Sequence, residues 1–178
     1  SVAAISELKN LGLEIYMLTG DNEATAKAVA AQAGIRHYQA GVMPSDKGNF
    51  VLELQKQGKI VGMVGDGIND SEALARADVS IAMGKGTDIA MEVAQLTLMH
   101  SDLIHIPKAI KLSRATVRTI RQNLFWAFIY NVIGIPIAAG VLYPAYGFLL
   151  DPMIAGAAMA LSSVSVVTNS LRLRTVKL

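Results

Sequence analysis

The 178-residue chain carries a net charge of +2, is 52% hydrophobic and contains no cysteine. The lack of thiols excludes a disulfide framework and any thiolate metal site built from this chain alone. The small net charge hides a segregation, because 1–100 hold 8 Lys/Arg against 12 Asp/Glu while 101–178 hold 8 against 2, balances of −4 and +6. That split excludes a single domain of uniform composition, and no nucleic-acid partner is expected.

Across 1–100, short β-rich runs alternate with helical stretches, the pattern of a Rossmann-type parallel sheet covered by helices. A first helix over 1–11 leads to a strand over 13–18. Asn22 is positioned to cap a helix that runs through Ala33 and stops at Gly34. Further strands are expected around 37–40 and over 60–64, 79–82 and 96–99. Between them lie a helix capped by Ser45 and ending near Gly58, one from Asn69 or Asp70 to about Ala77, and one near 87–94 after the Gly84/Gly86 turn.

From Asp102 a long basic helix is expected to begin near Pro107 and act as a stalk over 101–123. Two runs, 124–150 and 153–171, contain no Asp, Glu, Lys or Arg. A hydrocarbon core of ~30 Å needs about 20 helical residues, so both runs can span a bilayer. The expected hairpin has spans over 124–142 and 152–171, a loop over 143–151 and a tail over 172–178, with Gly134 and Pro136 kinking the first span. Lys108, Lys111, Arg114, Arg118 and Arg121 precede the first span, and Arg172, Arg174 and Lys177 follow the second. By the positive-inside rule both ends are cytoplasmic. The chain opens on Ser1 with no capped element before it, which predicts a piece of a longer polypeptide.

Two turns carry chemistry. Thr19-Gly20-Asp21 follows a strand and precedes a helix, so it offers backbone N–H groups, a hydroxyl and a helix N-terminus to an anion; it is also an ordinary turn with a capping residue. Gly65-Asp66-Gly67-Ile68-Asn69-Asp70 ends an apolar strand, where open α/β sheets place their ligands. Its two carboxylates are hard oxygen ligands suited to Mg²⁺. An N-cap explains Asp70 but not Asp66, and two acids at one strand end repel without a cation. Between these turns Lys47, in the first turn of a helix, can neutralise a phosphoryl oxygen.

Together, Met17-Leu18-Thr19-Gly20-Asp21-Asn22, Lys47 and Gly65-Asp66-Gly67-Ile68-Asn69-Asp70 resemble the haloacid dehalogenase phosphoryl-transfer site, in the wording of a P-type ATPase. The resemblance covers essentially the whole chain and implies an α/β haloacid dehalogenase-like portion over 1–100, the C-terminal part of a cytoplasmic phosphorylation domain. It implies that Thr19 and Gly20 contact an aspartyl-phosphate, with Asp21 on the same turn, that Lys47 balances its charge, that Asp66, with Asp70, holds Mg²⁺, and that Asn69 and Asp70 orient the site. The family's phosphorylated Asp, in an Asp-Lys-Thr-Gly-Thr stretch, is not among the 178 residues. ATP would be bound mainly by a nucleotide-binding domain outside this chain, which alone is expected to be inactive.

Polar residues in the spans bear on the ion. Tyr130 and Asn131 lie in the first; Met159 and Ser163, four apart, share one face of the second, beside Ser162. A thioether suits soft Cu(I), whereas hydroxyl and amide oxygens are hard. The pattern is similar to that of copper-transporting P-type ATPases and implies Tyr130, Asn131, Met159 and Ser163 in the path of transported Cu(I), with Ag(I) as an alternative. For Ser165 and Thr168 ordinary helix packing is the expected role. The implied partners are the nucleotide-binding and actuator domains, earlier membrane helices, the lipid bilayer and a copper chaperone, in a bacterial plasma membrane. A soluble phosphatase of the same superfamily and a non-catalytic membrane fragment are the competing readings.

Overall fold

The computed structural model describes residues 1–66, 68–84, 92–147 and 151–176. The chain divides into two compact units, Ser1–Lys108 and Ala109–Leu178.

The first unit alternates helices and strands as its sequence requires. Helix α1 (Val2–Asn10) buries Ala4, Ile5 and Leu8. Strand β1 (Tyr16–Leu18) is followed by α2 (Glu23–Ala33), whose N-cap Asn22 accepts a hydrogen bond from the Thr25 N–H at 2.9 Å. Gly34 ends α2 at φ 69°, a left-handed conformation that glycine adopts without steric cost. Then follow β2 (His37–Gln39), α3 (Pro44–Lys56), β3 (Gly62–Gly65), a 3₁₀ turn (Ile68–Asp70), α4 (Ser71–Arg76), β4 (Val79–Met83) and β5 (Leu96–Leu98).

All strand pairs are parallel, but they form two sheets instead of the single one expected: β1 with β2, and β3–β4–β5 with β4 in the middle. Strand β4 is paired on both sides and its Ser80–Met83 stretch is buried, as a central parallel strand must be. Strands β1 and β3 each have one edge with no ladder partner among the described residues.

Local corrections have physical causes. The β1 strand begins at Tyr16, not at residue 13, because Leu13 closes the end of α1 by bonding its N–H to the Leu8 carbonyl. Ser45 does not cap α3; Met43 holds the N-cap position, because Pro44 fits the first helical position with its preset φ. The helix expected near 87–94 lies largely outside the described residues.

The second unit is helical. Helix α5 (His105–Ala138) starts two residues before Pro107, which fits within a first turn. It continues past Gly134 and ends two residues after Pro136. A short α6 (Tyr143–Tyr146) follows, ended by Gly147 at φ 62°. Helix α7 (Pro152–Leu171) coincides with the second expected span, and a 3₁₀ turn (Arg172–Thr175) follows it.

Among the described residues no helix is long and apolar enough to cross a membrane. For α5 the reason is that its first half is basic and its apolar half, 124–138, reaches about 22 Å at 1.5 Å per residue, short of ~30 Å. For α7, the side chains of Pro152, Ile154, Ala155, Ala157 and Ala158 lie outside the described set.

Candidate functional site

A part-buried ion pair in the first unit joins two of the predicted site residues. Lys47 Nζ donates to Asp70 Oδ1 at 2.7 Å, with the two side chains only 15% and 12% exposed. Lys47 stands in the first turn of α3, where the helix dipole disfavours a cation, so Asp70 is what stabilises its charge there. Asp70 occupies the N-cap position of α4 but makes no capping hydrogen bond. Its carboxylate turns to Lys47 instead, which separates it from a simple capping role.

Gly65 makes this arrangement possible. A Cβ on Gly65 would lie 2.6 Å from Asp70 Cβ and 2.8 Å from Asp70 Oδ2, closer than any side chain allows. The strand end therefore needs glycine for close approach, not for an unusual φ. Spacing alone could not reveal this contact, although the glycine at the end of β3 was visible as part of the motif.

The Thr19-Gly20-Asp21 turn is ordered by its own hydroxyl: Thr19 Oγ1 donates to Asp21 Oδ2 at 2.9 Å and accepts the Asp21 N–H at 3.1 Å. Because Asn22 is the cap of α2, Asp21 is not used for that purpose. The loop that leads into α3 is stitched to this turn, with Gly41 N–H donating to the Asp21 carbonyl at 2.8 Å and Val42 N–H to the Thr19 carbonyl at 3.0 Å. Thus the C-terminal end of β1 is tied to the start of α3, and α3 is tied through Lys47 to Asp70 beneath the end of β3. Gly20, Asp21, Asp66 and Asn69 are exposed. Gly67 lies outside the described residues.

The donor set fits Mg²⁺. Asp66, four residues before the anchored Asp70, presents an exposed carboxylate, and this ion commonly takes one or two protein carboxylates and completes its shell with water and phosphoryl oxygens. Among the described residues no group of three or more His, Cys, Asp or Glu converges on one point, so they form no all-protein metal cage.

A second polar cluster, which the sequence did not reveal, lies at the other end of β1. Tyr16 donates to Glu14 at 2.8 Å, Lys59 Nζ lies 2.6 Å from Glu14 and 2.9 Å from the Tyr16 oxygen, and His37 stacks on Tyr16 at 5.0 Å. The Lys59 ammonium and then the Tyr16 hydroxyl hold the Glu14 carboxyl below the usual carboxylate range, and Glu14 in turn raises Lys59. Lys59 lies 43 residues from Tyr16 and 45 from Glu14, so no local pattern announces the cluster.

In the helical unit, among the described residues, no side-chain hydrogen bond joins the expected ion-path residues of α5 to those of α7. Asn131 Nδ2 donates to the Ala127 carbonyl at 2.8 Å, and Ser163 Oγ to the Met159 carbonyl at 3.2 Å, both within their own helices. Met159 is 72% exposed and Tyr130 39%. Ser165 and Thr168 likewise bond back to the carbonyls of Ser162 and Val164.

Parallel strands with an acid-bearing turn at the end of β3 and a lysine anchored beside it define the haloacid dehalogenase-like class, and the family model described as "haloacid dehalogenase-like hydrolase" matches residues 1–78. Similarity extends much further along the chain. It is 63% identical over 174 residues to the probable copper-transporting ATPase PacS of Synechocystis sp., covering 98% of this chain and 23% of that protein. It is 55% identical over 175 residues to the silver exporting P-type ATPase of Salmonella typhimurium, covering 98% and 21%. The crystal structure of a zinc-transporting PIB-type ATPase matches with a TM-score of 0.83 and 39% identity, over 97% of this chain and 27% of that one. Over nearly its whole length the chain is similar to metal-transporting P-type ATPases, and it spans less than a quarter of the length of these two curated relatives.

Proposed function

We propose that this chain is the C-terminal part of an ATP-driven Cu(I) export pump that works through an aspartyl-phosphate. The observation that carries the reading is the Lys47–Asp70 pair held beneath Gly65, with Asp66 exposed on the turn that follows Gly65. In this reading the Thr19 hydroxyl turns its one proton from Asp21 to a phosphoryl oxygen and the Gly20 N–H binds another, Lys47 neutralises the charge that develops there, and Asp70 fixes the Lys47 ammonium in place. Asp66, with Asp70 behind it, would hold Mg²⁺. The ion's chemistry is to neutralise phosphoryl charge. Asn69 orients the turn, and Asp21 holds the Thr19 hydroxyl.

The nucleophilic aspartate and most of the ATP site belong to polypeptide outside these 178 residues. The edges of β1 and β3 that have no ladder partner among the described residues support this, since each can accept one further parallel strand. The nucleotide-binding and actuator domains, earlier helices and a copper chaperone are the partners this reading requires.

We assign 124–142 and 152–171 to a transmembrane hairpin in a bacterial plasma membrane, with the basic flanks cytoplasmic. Support comes from the two runs without charge and from Phe125, Phe128, Ile133, Val164 and Val167, all more than half exposed. Large exposed apolar surface needs lipid or protein to cover it. A soluble phosphatase would leave that surface unexplained. Met159 gives the path one soft ligand, and Asn131 Oδ1 and the Ser163 hydroxyl shape its surroundings. Names of the relatives favour copper or silver, and the last span has no charged residue of the kind a divalent zinc ion would call for.

The test is transport by the full-length protein in inside-out vesicles. ATP should drive uptake of Cu(I), and of Ag(I) in its place, but not of Zn²⁺. ATP-driven uptake of Zn²⁺ without Cu(I) would overturn the assignment.

A further inference from the structure

Most polar side chains of α5 and α7 bond within their own helix, as Ser163, Thr168 and Asn131 do. Asn123 and Asn169 behave differently. Asn169 Nδ2 donates to Asn123 Oδ1 at 2.8 Å, and Asn123 Nδ2 donates to Ser170 Oγ at 2.9 Å. The Ser170 hydroxyl is passed on to the Val166 carbonyl at 2.8 Å, and Gln122 Oε1 lies 3.4 Å from Asn169 Nδ2. Asn123 thus uses both its acceptor and its donor on α7.

We propose that Asn123, Asn169 and Ser170 form a positioning clasp that sets the register of α5 against α7 and thereby the level of the metal-path residues. This rests on the pump reading above. Apolar contact tolerates sliding, whereas an amide that gives and takes a bond to two successive residues permits one register. The clasp sits where α5 passes from Arg121 to the apolar run and where α7 gives way to Arg172.

Distances along the helices show what that register does. At 1.5 Å per residue, Asn131 lies about 12 Å along α5 from Asn123. Counting back along α7 from Asn169, Ser163 lies about 9 Å away and Met159 about 15 Å. Taken along antiparallel helices, these distances would set Asn131 level with the interval between Ser163 and Met159. A slip of one residue at the clasp would displace that alignment by about 1.5 Å, enough to spoil a coordination geometry.

The experiment uses the full-length protein in membranes and compares Asn123→Leu, Asn169→Leu, the double variant and Asn123→Asp, which keeps acceptors for both Asn169 and Ser170. Two readouts are needed: the Cu(I) concentration that half-activates phosphorylation by ATP, and phosphorylation from inorganic phosphate, which needs no metal delivery. Each Leu variant should raise the half-activating Cu(I) concentration by about fivefold to tenfold, the size expected for a hydrogen bond between membrane helices. Phosphorylation from inorganic phosphate should hold within about twofold, the double variant should be no worse than either single one, and Asn123→Asp should recover most of the loss.

Unchanged Cu(I) activation, additive losses in the double variant, no recovery in Asn123→Asp, or an equal loss of both readouts would each overturn the clasp. A wild-type protein that Cu(I) does not activate would instead count against the pump reading itself.

Discussion

In the first unit Val51, Leu74 and Ile81 are no more than 5% exposed, while in the second Phe128, Ile135 and Val164 are more than 60% exposed. The polar groups divide in a similar way. Lys47 and Asp70 meet across 23 residues in a part-buried pair, whereas Asn131, Ser163 and Thr168 fall back on carbonyls four residues away. A region that can satisfy its apolar and polar groups internally has its surroundings in its own sequence. A region that cannot do so leaves apolar surface for surroundings outside this chain to cover. The two halves of this chain are therefore legible by different means: the first from its contacts, the second from what its contacts leave uncovered.

The sharpest way to break the comparison is at Gly65. Gly65→Ala should push Asp70 off Lys47, leaving two part-buried charges unpaired, and should destabilise the first unit by about 2–4 kcal/mol. Thermal unfolding of the full-length protein followed by a probe in this unit would measure it. An unchanged midpoint would mean that Asp70 is not held as tightly as the structure shows. No glycine of the second unit should matter as much: a Cβ at Gly134 or Gly156 meets nothing within 4 Å in this chain, so sensitivity there would report packing by neighbouring helices.

A smaller effect concerns Asp78, whose carboxylate accepts the Val61 N–H at 2.8 Å and ties the start of β3 to the turn before β4. That bond, followed by one from Gln55, holds its carboxyl below the ordinary carboxylate range. A depressed folded value means that the contribution is complete above the unfolded value near pH 4 and is lost as pH falls through the folded one. Hydrogen exchange of the Val61 amide should therefore lose protection in acid, and Asp78→Asn should weaken that pH dependence. A pH-independent Val61 amide in the unaltered protein would contradict the assignment.

Much of the first unit was readable because its signals are local. Asn22 and Gly34 bracket α2 as expected, and Lys47, Asp66 and Asp70 stood out because capping or solvation alone left some of them unexplained. What escaped was non-local: the division into two sheets, the approach of Gly65 to Asp70, and the Glu14, Tyr16, His37 and Lys59 cluster. Ser45 misled because a capping residue competes with the stronger positional preference of Pro44. In the second unit the extent of α7 was readable from charge alone, yet nothing in the spacing of Asn123 and Asn169, 46 residues apart, announced that they meet.

In the proposed reading, phosphoryl chemistry in the first unit and metal handling in the second are separate jobs within one pump. The direct measurement is phosphoenzyme formed by the full-length protein from ATP with Cu(I) and from inorganic phosphate without it, in Asp66→Ala and Met159→Ala. Asp66→Ala should lose both signals by about 100-fold or more, whereas Met159→Ala should lose about tenfold in Cu(I)-stimulated turnover with phosphorylation from inorganic phosphate intact. Normal phosphoenzyme in Asp66→Ala, or equal loss of both signals in Met159→Ala, would contradict that division of labour.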